Sequence, residues 1–112
     1  MTVAEIERKA RRILKDAVPE YRWASNEIRE ALQEGVFALN AIRPETRYVG
    51  GRLVDAVYLP ASDADRIDVD DRYAEALTYF VVYKCYLDDD SDTTNQQLAE
   101  SYLGKFNTKS LL

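Results

Sequence analysis

Asp71-Arg-Tyr-Ala-Glu-Ala-Leu-Thr-Tyr-Phe-Val-Val-Tyr-Lys-Cys-Tyr-Leu87 is the longest apolar run in the chain, and its reading decides the fold. At about 100° per residue, Tyr73, Leu77, Phe80, Val81 and Lys84 fall on one side of a helix. Ala74, Ala76, Tyr79, Val82, Tyr83 and Tyr86 spread apolar surface round most of the rest. A helix that is hydrophobic nearly all round is buried by neighbours on several sides. Val81-Val82 between aromatics also suits a buried strand. Length decides against that, because strands run about five or six residues. The stretch 71–87 is therefore predicted as a central buried helix.

Working outward, the elements that cover it are helical. Thr2-Val-Ala-Glu5 has the form of a capping box, opening a helix over 1–17 whose stripe is Val3, Ile6, Ala10, Ile13, Leu14 and Ala17. Arg8, Arg11, Arg12 and Lys15 cluster on its other face, which is read as outward. Pro19 ends it, and Tyr21 and Trp23 are expected to tuck under the helix ends. A second helix is predicted over 24–43, with Trp23 and Ile28 forming a hydrophobic staple if Ala24 is the N-cap. Its buried stripe is Ile28, Ala31, Leu32, Gly35, Leu39 and Ile42, and Phe37 is left open. Gly35 in mid-helix costs about 1 kcal/mol against alanine, which points to close packing there. Pro44 stops the helix.

Residues 45–70 change character. Thr46-Arg-Tyr-Val49, Gly50-Gly51 and Arg52 to Leu59 read as a hairpin of β-formers about a Gly-Gly turn. Ala61 to Asp71 is a polar loop with five aspartates, one of the last three capping the central helix. After Leu87 an acidic break, Asp88-Asp-Asp-Ser-Asp92, precedes a last helix over 92–106 capped by Ser91 or Asp92. Its stripe is Leu98, Ala99, Tyr102, Leu103 and Phe106. Residues 107–112 are expected to be a loose tail. The expected architecture is mainly α: a small four-helix bundle with a central buried helix and one extended loop or β-hairpin insertion, all in one domain over 1–112.

Composition narrows the function classes. The net charge of −5 argues against bulk attraction to nucleic acid or to an anionic membrane. Histidine is absent, which removes the commonest general base, the commonest metal ligand and every His-dependent triad. The single cysteine, Cys85, cannot form an internal disulfide or a cysteine-cluster zinc site and reads as a small buried hydrophobe. The N-terminus is charged from Glu5 onward, so no signal peptide is read, and no run reaches membrane-spanning length. These features place the chain inside a cell or in something assembled there.

Each candidate constellation has a plainer counterpart. Asp88, Asp90 and Asp92 match positions one, three and five of a calcium loop, but position six is Thr93 and position twelve is Ala99, so the run reads as a capped turn. The cluster Asp63, Asp65, Asp68, Asp70 and Asp71 spans a loop, with nothing to fix its geometry, and reads as a solvated loop rather than a metal site. Gly50-Gly51 lacks the lysine and Ser/Thr of a phosphate loop and reads as a turn. The basic face of the first helix suits phosphates, an acidic protein face or a membrane surface, or is simply solvated. The membrane reading is the weakest, since the apolar face lacks aromatics and is needed by the core. Eight tyrosines, four of them in the central helix, suit half-buried packing or a subunit interface. No arrangement offers acid–base or nucleophilic work, so no enzyme, catalytic residue, cofactor or metal is expected.

The helix order carries a resemblance. Arg22-Trp23-Ala-Ser-Asn-Glu-Ile28, the Ile42-Arg-Pro44 stop, and Asp71-Arg-Tyr-Ala-Glu-Ala-Leu77 leading to Tyr83-Lys-Cys-Tyr86 resemble the head–tail connector (adaptor) proteins of tailed bacteriophages. The acidic break, Asn95 and Tyr102-Leu-Gly-Lys-Phe106 continue it, so the resemblance covers most of the chain outside the insertion. It rests on helix starts and core residues, with no catalytic signature. It implies a non-enzymatic virion protein, assembled in the host cytoplasm, that forms a head-to-tail ring below the portal protein, extends the DNA channel and docks a tail or stopper protein. The insertion would add contacts, among them Tyr48, Arg52 and Tyr58. Arg8, Arg11, Arg12 and Lys15 facing Asp63, Asp65 and Asp68 of the next subunit would supply the two unlike faces a ring needs. The alternative is a small helical regulatory or interaction module that binds nucleic acid or protein through the basic first helix.

Overall fold

The computed structural model describes residues 1–16, 22–88 and 93–111, and is mainly helical, with a small hairpin between its second and third α-helices. The α-helices are α1 (Val3–Leu14), α2 (Ser25–Ile42), α3 (Ala74–Asp88) and α4 (Thr93–Ser110). The hairpin strands are β1 (Tyr48–Val49) and β2 (Arg52–Leu53), antiparallel with Tyr48 opposite Leu53 and Val49 opposite Arg52. The expected small mainly-α bundle with a hairpin is what forms.

α3 is the hub, packing against α1, α2 and α4. Ala76, Leu77, Thr78, Phe80, Val81, Val82 and Cys85 are buried, so apolar surface on most sides finds cover on most sides. Asp70 supplies the cap expected of the acidic loop: its carboxylate accepts from the Arg72 N–H at 2.9 Å, opening a 3-10 turn over Asp71–Tyr73 that runs into α3.

α1 starts as its sequence indicates, with Thr2 Oγ1 accepting from the Glu5 N–H at 3.1 Å. It ends earlier than the expected residue 16 or 17. Lys15 takes a left-handed conformation (φ 58°), and the N–H groups of Lys15 and Asp16 return to the Arg12 and Arg11 carbonyls at 3.2 and 2.8 Å. This is a Schellman-type ending made without glycine. α2 begins after Ala24, which offers no side-chain cap; Trp23 before it and Ile28 within it both join the core. The stripe on α2 differs from expectation at two positions: Ile42, its last residue, is exposed, and Val36 in mid-helix is fully buried. The expectations for Pro19, Tyr21, Ser91 and Asp92 lie outside the described residues, as does most of the acidic break.

Two segments correct the expected picture. The hairpin is much shorter than predicted: Gly50 and Gly51, with φ of 59° and 78°, make the two-residue turn, but pairing stops at Leu53. Beyond it the backbone is held by α2 side chains instead. Val57, Ile67 and Val69 are buried, so the stretch after the hairpin contributes three side chains to the core while its polar residues face outward. The expected loose tail is helix through Ser110, which is fully buried. Arg43 donates to the Ser110 carbonyl at 2.8 Å and also to the Leu111 carbonyl, capping α4 with a cation at the negative end of its dipole.

Candidate interaction surface

The predicted site residues divide into those the surface offers and those the fold uses. On α1, Arg8, Arg12 and Lys15 are exposed. Arg11 is not: it is 3% exposed, and its guanidinium bonds the Asp16 carboxylate at 2.8 Å. The outward reading of Arg11 is therefore corrected. Asp16 is the cause. Placed just past the Lys15 turn, it also accepts from the N–H groups of Arg22 and Trp23, at 2.8 and 3.2 Å. One carboxylate thus ties the end of α1 to the approach of α2, and Arg11 supplies its counter-charge. The two backbone donors meet the remaining lone pairs of the Asp16 carboxylate, which offsets part of the cost of taking the pair out of water.

The five aspartates of the acidic loop are exposed, as expected, but two of them are ion-paired within the subunit. Asp63 pairs with Arg29 at 2.5 Å, and Asp71 meets Arg66 at 3.0 Å and the N-terminal amine. Those two partners hold the Asp71 carboxyl below its ordinary value, the amine first. The backbone is tied as well: Ala4 N–H donates to the Asp63 carbonyl at 3.1 Å and Ile67 N–H to the Met1 carbonyl at 3.0 Å. The loop therefore crosses the N-terminal end of α1, within the same subunit and beside the helix whose cations it was expected to meet in a neighbour. Asp65 and Asp68 remain exposed. Among the described residues no group of three or more His, Cys, Asp or Glu side chains is arranged to hold a metal ion.

The hairpin region presents apolar surface. Tyr48 is 62% exposed, its cross-strand partner Leu53 59% and Tyr58 70%. Val54 N–H donates to the Arg47 carbonyl, so Tyr48 and Leu53 form a non-hydrogen-bonded pair whose side chains stand close on one face. Arg52 beside them is exposed. Tyr48 and Asp68 are brought together as walls of one hollow of about 300 Å³, with Arg72 between loop and helix. Tyr58 meets Phe37 edge-on, with ring centroids 5.4 Å apart.

What holds this segment was missed in the sequence. Gln33 and Asn40 stand seven residues apart on α2, two turns along one face. Gln33 donates to the Val57 carbonyl at 3.0 Å and accepts from the Leu59 N–H at 2.8 Å. Asn40 accepts from the Val57 N–H at 2.9 Å and donates to Thr46 Oγ1 at 2.8 Å. Two amide side chains thus do for Val57–Leu59 what a neighbouring strand would do. The available signal was Asn40 itself, an amide beside the apolar stripe that ends a helix turn before Pro44.

The tyrosines are mostly packing. Tyr73 is buried, while Tyr86 stacks on Tyr102 at 6.0 Å and Tyr79 meets Tyr102 at 5.8 Å along the α3–α4 seam. Lys105 lies over the Tyr102 ring at 4.4 Å. Compared with protein-family models, with curated proteins and with solved structures, the chain matches none.

Proposed function

We propose that this chain is a structural assembly protein, a head–tail connector subunit of a tailed bacteriophage that rings the DNA channel below the portal and docks a tail or stopper protein. The observation that carries the reading is the exposed Tyr48, Leu53 and Tyr58 surface on a segment clamped to α2 by Gln33 and Asn40. Aromatic and aliphatic groups held in water on a fixed backbone suit a protein partner, and a preset backbone lowers the ordering cost of docking. The residues that carry the resemblance support it too. Trp23, Ile28, Tyr73, Leu77, Cys85 and Phe106 are all buried and build the helical body. In this reading the body forms the ring, the hairpin region faces the tail-side partner, and contact with channel DNA is non-specific.

The alternative, a module binding nucleic acid or protein through α1, keeps Arg8, Arg12 and Lys15 on the surface but loses Arg11 to the core. Electron cryomicroscopy of the head–tail junction of the tailed particle separates the two. A ring whose repeating unit fits this four-helix body is expected between portal and tail. A junction fully accounted for by other chains overturns the proposal.

A further inference from the structure

Two grooves of opposite charge flank α3. The first is a trough made of two hollows, about 450 Å³ between α1 and α3 and about 510 Å³ between α3 and α4, with Glu75 and Tyr79 lining both. Its cations are Lys9, Arg12, Lys105 and Lys109. The one carboxylate, Glu75, is already engaged: the Tyr79 hydroxyl donates to it at 2.8 Å and Lys109 lies 3.4 Å from its other oxygen. Lys9, Arg12 and Lys105 meet no carboxylate at ion-pair distance among the described residues.

The second groove, about 250 Å³ between α2 and the C-terminal end of α3, is lined by Glu27, Glu30, Glu34 and Asp88, with Lys84 as its one cation. Lys84 pairs with Glu34 at 3.2 Å, leaving Glu27, Glu30 and Asp88 without a cation at that distance among the described residues. Each groove therefore balances one charge internally and presents three of one sign to solvent.

Their placement follows from the helix. Glu75 and Lys84 are nine residues apart, which at 100° per residue sets them roughly 180° apart round α3. The basic trough and the acidic groove thus lie on opposite sides of the subunit. Matching charge on opposite sides is the condition for a heterologous contact that repeats from one copy to the next, whereas a two-fold contact needs one self-complementary patch.

We propose that a second copy of this chain is the occupant: the acidic groove of one subunit docks on the basic trough of the next. The inference names the partner faces of the assembly reading and rests on that reading only for its place in a virion. It replaces the pairing of the α1 cations with the Asp63 to Asp68 loop, because that loop is tied to the same subunit's α1 and Arg29.

The test uses two double variants of the full chain, Lys9→Glu with Arg12→Glu and Glu30→Lys with Glu34→Lys, all at exposed positions. Sedimentation velocity at high protein concentration and about 20 mM salt, where charges act over tens of ångströms, is expected to show wild-type self-association that weakens by at least about tenfold in 0.5 M salt. Each variant alone is expected to sediment as a monomer with an unchanged circular dichroism spectrum. Mixed in equal amounts, they regain association, because each reversed groove meets its complement. A wild type that stays monomeric at low salt overturns the proposal. So do variants that associate like wild type, or a mixture that stays monomeric. None of these outcomes decides whether the chain is in a virion, so failure here and failure of the connector reading are told apart.

Discussion

The ring of Phe80 fills the space that a side chain on Gly35 would take: a Cβ built there would stand 2.9 Å from Phe80 Cδ1 and 3.3 Å from Phe80 Cβ. A side chain at this position would collide with α3, which explains a glycine in the middle of a helix. Phe80 has little room to withdraw, since Tyr83 and Phe106 stand edge-on to it with centroids 5.4 and 5.0 Å away.

Gly35→Ala sets two effects against each other. Helix propensity favours alanine by about 1 kcal/mol, whereas overpacking a filled core costs about 1–3 kcal/mol. With the Phe80 Cβ as well as its ring in the way, packing is expected to win, giving a net loss of about 1 kcal/mol in urea unfolding. A variant more stable than wild type would show that the two helices can part freely.

Asp16→Ala removes the carboxylate that Arg11 and two backbone N–H groups share. Removing one partner of a buried ion pair costs about 3–5 kcal/mol when the other charge is left uncompensated, and a loss toward the lower end is expected here because Arg11 Nε keeps the Glu7 carboxylate at 3.4 Å. Reversing the exposed neighbour Arg12 is expected to change stability by under about 1 kcal/mol. Thermal unfolding of both variants checks the contrast, and equal losses would contradict the buried role of Arg11.

Asn40→Ala strips the buried Val57 N–H of its acceptor, while Thr46 keeps its bond to the Arg43 carbonyl at 2.7 Å. Leaving one buried polar group unsatisfied costs about 1–3 kcal/mol. Amide hydrogen exchange should rise at Val57 and Leu59 well before it rises in α3. If those amides stay as protected as in wild type, the segment is held by something other than the α2 amides.

Cys85 is 3% exposed, and burial pushes its thiol up to about 12 from an ordinary 9.0. The folded value is the higher one, so this contribution to stability is full below pH 9 and is lost as the pH rises through about 12. Tyr86, raised by burial, and Tyr79, raised by its bond to Glu75, act in the same direction. Stability should therefore fall on the alkaline side, less steeply in Cys85→Ala. At pH 8 the folded thiol should react with an alkylating agent on the order of a hundredfold more slowly than the unfolded chain. Equal rates would contradict its burial.

Much of the fold was legible because it is written in local signals. The apolar run 71–87, the Thr2 cap, the Gly50-Gly51 turn and the misfit of Gly35 each act within a few residues or through one helix period. What was illegible depends on partners distant in sequence. Arg11 reads as part of a basic face until Asp16 folds back on it and draws in Arg22 and Trp23. Residues 52–59 read as the second strand of a hairpin and 61–71 as a polar loop, yet Arg29, Gln33 and Asn40 bind the backbone of this segment and the Asp63 carboxylate to α2. The last turn of α4 looks unsupported until Arg43 reaches it. The opposed grooves were hidden for the same reason, since Lys9, Arg12, Lys105 and Lys109 come together only when α1 and α4 pack on either flank of α3.

Quantitative mass spectrometry of purified tailed virions tests the central claim, that this is a head–tail connector subunit, most directly. The account predicts this chain in the particle at a fixed copy number comparable to that of the portal protein. Its presence in infected cells together with its absence from virions would contradict the claim.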